Sequence, residues 1–156
     1  MTDLCRASSE IALRLVEDIP AFYSSLQVRQ LVYQVMLREH NIVVGNCELR
    51  VGENLGTLYA GNIWYEIFPA YRGNHYAQKA CLLLFSVARN MGMEKLLISC
   101  LPDNIASQKT CLRLSPTDSA QIPLPPWHDL YSEKHRSVMQ FAFRLEPTQN
   151  REEYPL

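Results

Sequence analysis

The hexapeptide Arg72-Gly73-Asn74-His75-Tyr76-Ala77 stands directly before an apolar helical pattern, a placement suited to holding an anion. The first N–H groups of a helix have no partner within it, and that end carries roughly half a positive charge. A phosphate is a natural guest there. Gly73 permits unusual dihedrals or close backbone approach, Arg72 adds a fixed cation, and small Ala77 leaves room against the first turn. The same residues also read as a plain strand-to-helix turn with an exposed arginine, because short glycine-containing turns are common.

The elements that must position this loop are legible in the hydrophobic periods. Ile11 to Val16 make a short strand that breaks at EDIP. LVYQVMLREHN, IVVGNCELRVGEN and LYAGNIWYEIFPAYRG follow as three β-rich runs, punctuated at His40-Asn41 and at Glu53-Asn54-Leu55-Gly56, which predicts an antiparallel meander. From Tyr76 the apolar residues Ala77, Ala80, Cys81, Leu84, Val87 and Ala88 recur at helical spacing, giving a helix of about 15 residues with Gly92 as its C-cap. Lys95 to Cys100 reads as a strand, and a strand-helix-strand crossover makes its two strands parallel. Asp103 and Asn104 are candidate caps for a second helix over DNIASQKTCLRLS. Ser119 to Pro126 reads as an edge strand, and HRSVMQFAFRLE alternates as the last one. The fold class is α/β, with a mixed, mostly antiparallel sheet of about six or seven strands. Residues 1–146 are expected to form a single domain and 147–156 a polar tail.

Totals exclude several classes. A chain of 156 residues suffices for one core, and 47% hydrophobic residues argue against disorder. Fifteen basic against sixteen acidic residues lack the footprint of a nucleic-acid binder. Five widely spaced cysteines suggest reduced thiols in the cytoplasm, and neither they nor the four histidines have metal-site spacing, so no metal is expected. MTDLCRASSE lacks the basic start and apolar stretch of a leader, and no run approaches the roughly 20 apolar residues that span a bilayer.

Two stretches together carry a family resemblance. YRGNHYAQKA resembles the acyl-CoA loop of the GCN5-related N-acetyltransferases, preceded by IFP where the family ends a strand in V-x-P. About thirty residues later, PDNIASQKTCLRL is similar to the family's second motif, in which Asn and a small residue open the next helix. The resemblance covers Asn41 to Ser115 and implies a strand-helix-strand-helix core that binds acetyl-CoA as co-substrate. It puts the pyrophosphate on backbone N–H groups between Arg72 and Ala77. It puts the pantetheine arm against Ile67 and Phe68 of a strand splayed from its neighbour, and against Asn104 and Ser107. The chain departs from the pattern at His75, where the family has its central glycine, and at Ser115. His75 is accommodated if it is already helical, since no positive φ is then required.

Family members transfer acetyl directly to an amine, which calls for positioning and for handling one proton. Glu66, beside Trp64, is the candidate base, because an indole neighbour would raise a carboxyl pKa; it also reads as a solvent-facing strand residue. Cys111 occupies the position of the family's acidic tyrosine, and a thiol has a suitable pKa, although Cys is commonly a buried small hydrophobe. Tyr131 and His128, in PPWHDLY, border the acceptor side in this fold and could bind the substrate or supply the acid, or Trp127 plugs one end of the sheet and the loop is only packed. Only about fourteen residues separate the first two strands, too few for the family's two roofing helices of ordinary length. The acceptor cleft is therefore expected to be open, or to be completed by a second subunit in a homodimer. The leading expectation is acetyl transfer to a primary amine of a small molecule or peptide; a non-catalytic acyl-CoA-binding module is the alternative.

Overall fold

The computed structural model describes the backbone of residues 3–146 and the side chains of residues 7–146. The tail expected at 147–156 and the side chain of Cys5 lie outside the described residues. The chain runs α1 (Asp3–Glu10), β1 (Ile11–Ile19), a 3-10 turn (Ala21–Tyr23), β2 (Arg29–Leu37), β3 (Ile42–Val51), α2 (Leu55–Ala60) and β4 (Ile63–Ile67). After a second 3-10 turn (Pro69–Tyr71) come α3 (Tyr76–Asn90), β5 (Lys95–Cys100), α4 (Ile105–Arg113), β6 (Asp118–Pro123) and β7 (Ser137–Arg144). Alternation along the strands sends Leu31, Tyr33, Leu49 and Ile63 into a core shared with Leu83, Leu84 and Val87 of α3. Burying each such side chain contributes roughly 1.5–3 kcal/mol.

The strands divide into two antiparallel groups, β1-β2-β3-β4 and β5-β7-β6. The parallel step expected between β4 and β5 carries no ladder; a single bridge joins Gly61 to Ile98. Gly61 permits that contact, because a Cβ there would stand 2.9 Å from the Ser99 nitrogen and 3.0 Å from the Leu97 oxygen. Beside it, Asn62 donates its N–H to the Leu97 carbonyl at 2.7 Å and accepts the Leu97 N–H on its side chain at 2.8 Å. The halves are thus riveted at one end of β4 and splayed at the other.

Two helices lie where the periodic patterns indicate none. In α2 the residues read as a punctuation before a strand instead form a turn of helix, because Asn54 and Thr57 make a reciprocal capping box. The N-terminal α1 packs on α3, with Ala7 fully buried and Glu10 paired to Lys79. Between β1 and β2 there is one 3-10 turn and no α-helix, in line with the short spacing.

Candidate active site

Side chains and backbone of β4 both alternate, and the two alternations build different surfaces. Ile63 and Ile67 point into the core, whereas Trp64 and Glu66 are exposed on the opposite face. Arg50 donates its N–H to the Asn62 carbonyl at 2.7 Å, and Phe68 donates to Val44 at 2.9 Å, so the even-numbered residues bond toward β3. By the alternation of an antiparallel ladder, the N–H and C=O groups of Tyr65 and Ile67 face the gap left by β5. Of the two residues expected to offer free groups there, Phe68 has its N–H committed to Val44. Arg72 Nε donates to the Ile67 carbonyl at 2.9 Å, which ties the loop to the end of the strand.

The loop turns through two positive φ angles, +90° at Gly73 and +59° at His75. This corrects the expectation for His75. It is not in right-handed helix but is the N-cap of α3 in the left-handed region, a conformation that costs a residue with a Cβ on the order of 1–2 kcal/mol. The histidine therefore alters the side chain at the family's glycine position while keeping a glycine-like backbone. No side chain caps α3, and its first turn holds no acid. The first helical bond runs from Lys79 N–H to the His75 carbonyl at 3.1 Å, so the N–H groups of Tyr76, Ala77 and Gln78 have no helical acceptor. By contrast α4 is capped: the Asn104 side chain accepts the Ser107 N–H at 3.1 Å.

Between β4, this loop and α4 lies a cleft of about 710 Å³, the size of a small-molecule site. It gathers Glu66 and Ile67 from β4, Arg72, Gly73, His75, Tyr76 and Ala77 from the loop and α3, and Asn104 and Ser107 from α4. Phe68, Asn74, Cys111 and Tyr131 do not line it. The Asn74 amide instead donates to the Tyr71 carbonyl at 3.1 Å, bracing the turn. Cys111 is fully buried, and burial pushes its thiol up to about 12.

Tyr65, which periodicity alone did not single out, fills part of the space near Cys111. Its hydroxyl lies 2.6 Å from Ser107 Oγ, and burial pushes its phenol up while hydrogen bonds to Ser107 and Thr110 draw it back. Lys109 and Arg113 also line the cleft from α4. Their spacing from Ala106 on one helical stripe is the signal that would have found them. The cleft is segregated by charge: the cations Arg72, Lys109 and Arg113 belong to the loop and α4, and Glu66 is its one carboxylate.

A second, smaller cleft of about 430 Å³ is lined by residues that include Gln27, Asn54, Leu55, Trp127 and His128. Tyr59 meets the Trp127 and His128 rings edge to face, at centroid distances of 6.1 and 5.5 Å, and those two rings lie tilted to each other at 5.9 Å. Trp127 does not plug the sheet: it remains 63% exposed. Among the described residues, no three His, Cys, Asp or Glu side chains converge on a metal site, and no helix is long and apolar enough to cross a membrane.

A splayed β4, an uncapped α3 with a cationic loop and a small-molecule cleft between them define an acyl-CoA-type transferase fold. The sequence profile described as Acetyltransferase (GNAT) domain matches residues 6–115, and the chain belongs to that family. Among solved structures, the fold is similar to RimL, a ribosomal-protein alpha-N-acetyltransferase, in complex with coenzyme A. That match has TM-score 0.65 and 15% identity and covers 91% of this chain and 98% of the other. It is also similar to YncA of Salmonella typhimurium, a putative acetyltransferase with acetyl-CoA (TM-score 0.58, 18% identity, 80% and 69% covered). A third similar structure is the spermidine/spermine N-acetyltransferase SpeG of Vibrio cholerae (TM-score 0.63, 9% identity, 89% and 95% covered). No curated protein matches the sequence.

Proposed function

We propose that this acetyltransferase moves the acetyl group of acetyl-CoA directly to a primary amine, with Glu66 as the base. The observation that carries the reading is the charge-segregated cleft at the split between β4 and β5. Its α3 end offers free backbone N–H groups, Arg72 and His75, which suit a pyrophosphate without depending on side-chain identity. The gap-facing N–H groups of Tyr65 and Ile67 suit the amides of a pantetheine arm. On the other face, Glu66 stands exposed two residues from the exposed indole of Trp64, a pair that favours an ammonium ion by charge and by cation–π attraction. Glu66 then takes one proton from the ammonium, and the freed amine nitrogen attacks the thioester carbonyl and displaces the thiolate. Two of the similar structures are acetyltransferases of a protein N-terminus and of polyamines, both cationic amines, which agrees with this acceptor chemistry.

The proton for the departing thiolate falls to Tyr65 in this reading. Its hydroxyl reaches the α4 wall that the family's tyrosine would occupy, whereas the buried Cys111 thiol does not line the cleft. The open face around Trp64 leaves room for a peptide or for a second copy of the chain. Four buried free thiols suit a reducing cytoplasm. The burial of Cys111 also favours a second reading, a non-catalytic CoA-binding module, since the family's acidic tyrosine has no counterpart on α4.

Calorimetric titration with CoA at tens of micromolar tests the cofactor, and absence of heat removes both readings. Free-thiol release from acetyl-CoA across a panel of polyamines and short peptides separates them. Amine-dependent release supports the transferase; binding of CoA without release under any acceptor supports the module.

A further inference from the structure

The sheet face that turns away from α3 carries two neighbouring rows of side chains, and their charges are handled differently. Register places Glu48 opposite Val32 and Trp64 in one row. That row is settled within the chain, because the Glu48 carboxylate accepts from Gln30 at 2.7 Å and from Arg50 at 3.0 Å. The other row runs Arg14, Gln34, Asn46, Glu66 across β1, β2, β3 and β4, each residue directly opposite the next. Opposed residues of antiparallel strands share a face, so all four lie on the side of Trp64. Arg14 and Glu66 are exposed, and Gln34 and Asn46 are partly buried. Neighbouring strands lie about 4.8 Å apart, so three steps put Arg14 roughly 14–15 Å from Glu66. The chain does not close that distance: Arg14 Nε donates to the Gln34 side-chain oxygen at 3.0 Å, a neutral partner that leaves the charge uncompensated. The row therefore presents a negative end at the cleft, two side-chain amides in the middle and a positive end at the sheet edge. No α-helix between β1 and β2 covers it.

We propose that this row binds the acceptor as an extended peptide N-terminus with an acidic side chain at its fourth or fifth residue. The inference rests on the transferase reading above, with Glu66 at the reacting amine. An extended chain advances roughly 3.3–3.6 Å per residue, so the span of the row brings the fourth or fifth residue to Arg14. The terminal ammonium meets Glu66, and the acidic side chain meets a guanidinium whose planar fork matches a carboxylate with two N–H groups. Between them, the amides of Asn46 and Gln34 each carry donors and an acceptor, the complement of peptide C=O and N–H groups. With its oxygen taken by Arg14, Gln34 keeps its NH2 group to donate. Such a peptide crosses the strands at right angles, so side chains and not a new sheet ladder would recognise it. A polyamine matches one end only: it satisfies Glu66 and then brings its next ammonium toward the like charge of Arg14.

The test follows thiol release from acetyl-CoA with alanine hexapeptides that have a free serine N-terminus, an amidated C-terminus and one glutamate, glutamine or lysine at the fourth or fifth position. Wild type is expected to use the glutamate peptide with kcat/KM about fivefold above the glutamine peptide, the upper range for one exposed ion pair, and the lysine peptide less well still. The gain should lie in KM, because the contact is made equally before and during reaction. Moving the glutamate to the second position should remove the gain, since the carboxylate then stops short of Arg14. Arg14→Glu should invert the order, so that the lysine peptide becomes the better substrate, and thermal unfolding checks its fold. Should that reversal unfold the chain, Arg14→Gln must level the three peptides. Equal wild-type use of the three overturns the row while leaving the transferase reading intact. So does a glutamate preference that persists at the second position or survives the change at Arg14, since that is general attraction. Spermidine used better than the glutamate peptide overturns it as well. If neither the peptides nor spermidine promote thiol release, the transferase reading fails and this inference with it.

Discussion

The side of β4 facing α3 and α4 is built from backbone: unpaired N–H groups at a helix start, strand groups left facing a gap, and a loop turned by Gly73 and His75. The opposite face is built from side chains, with Trp64 and Glu66 standing over a sheet that no helix between β1 and β2 covers. Backbone donors tolerate sequence change, so a cofactor side made this way persists while its residues vary; His75 in a glycine conformation is an instance. The face proposed above to take the acceptor has no such insulation. Each substitution there changes charge and shape directly, which is why relatives of one fold act on different amines.

If that division holds, Glu66→Gln has the largest effect and confines it to turnover: amine-dependent thiol release falls about 100-fold or more, with CoA affinity unchanged by calorimetry. A fall no larger than that of an exposed control such as Glu17→Gln removes Glu66 as the base. Next comes the rivet between the halves. Gly61→Ala places a Cβ against the Ser99 nitrogen at a φ of +79°, and we expect about 2–3 kcal/mol of destabilisation, a melting temperature lower by roughly 5–10 °C. An unchanged melting temperature would mean that the splay is not held at this bridge.

Tyr65→Phe sharpens the comparison, because this side chain comes from the cofactor side of β4 but is assigned a chemical role. We expect kcat to fall about tenfold with KM for acetyl-CoA within a factor of about two. Cys111→Ala, by contrast, should alter stability more than rate. The reverse pattern would return the acid role to the thiol. The smallest change is His75→Gly, which relieves a left-handed histidine. Stability should rise by up to about 1 kcal/mol, or about 2–4 °C, with CoA binding retained. A loss of CoA affinity would show that the imidazole itself contacts the cofactor.

Much of the cofactor side was legible in the chain because it depends on local periods. The change from strand to helix at Tyr76, the Asn104 cap and the Gly92 stop are each set within a few residues of one another. Short α2 escaped notice because its apolar residues fit a strand equally well, and only the Asn54–Thr57 reciprocal bonds decide for helix. Phe68 was expected among the gap-facing residues because sequence locates the end of a strand but not the parity of its hydrogen bonds, which β3 sets.

The sequence by itself determined the order of elements, the helix starts and the loop that can cradle an anion, since these follow from neighbouring residues and backbone sterics. Only the tertiary structure decided which backbone groups face the gap, that Cys111 is sealed from the cleft, and that Tyr65 and Ser107, 42 residues apart, share a hydrogen bond. Those outcomes depend on how separate strands register and splay, and no local period encodes that.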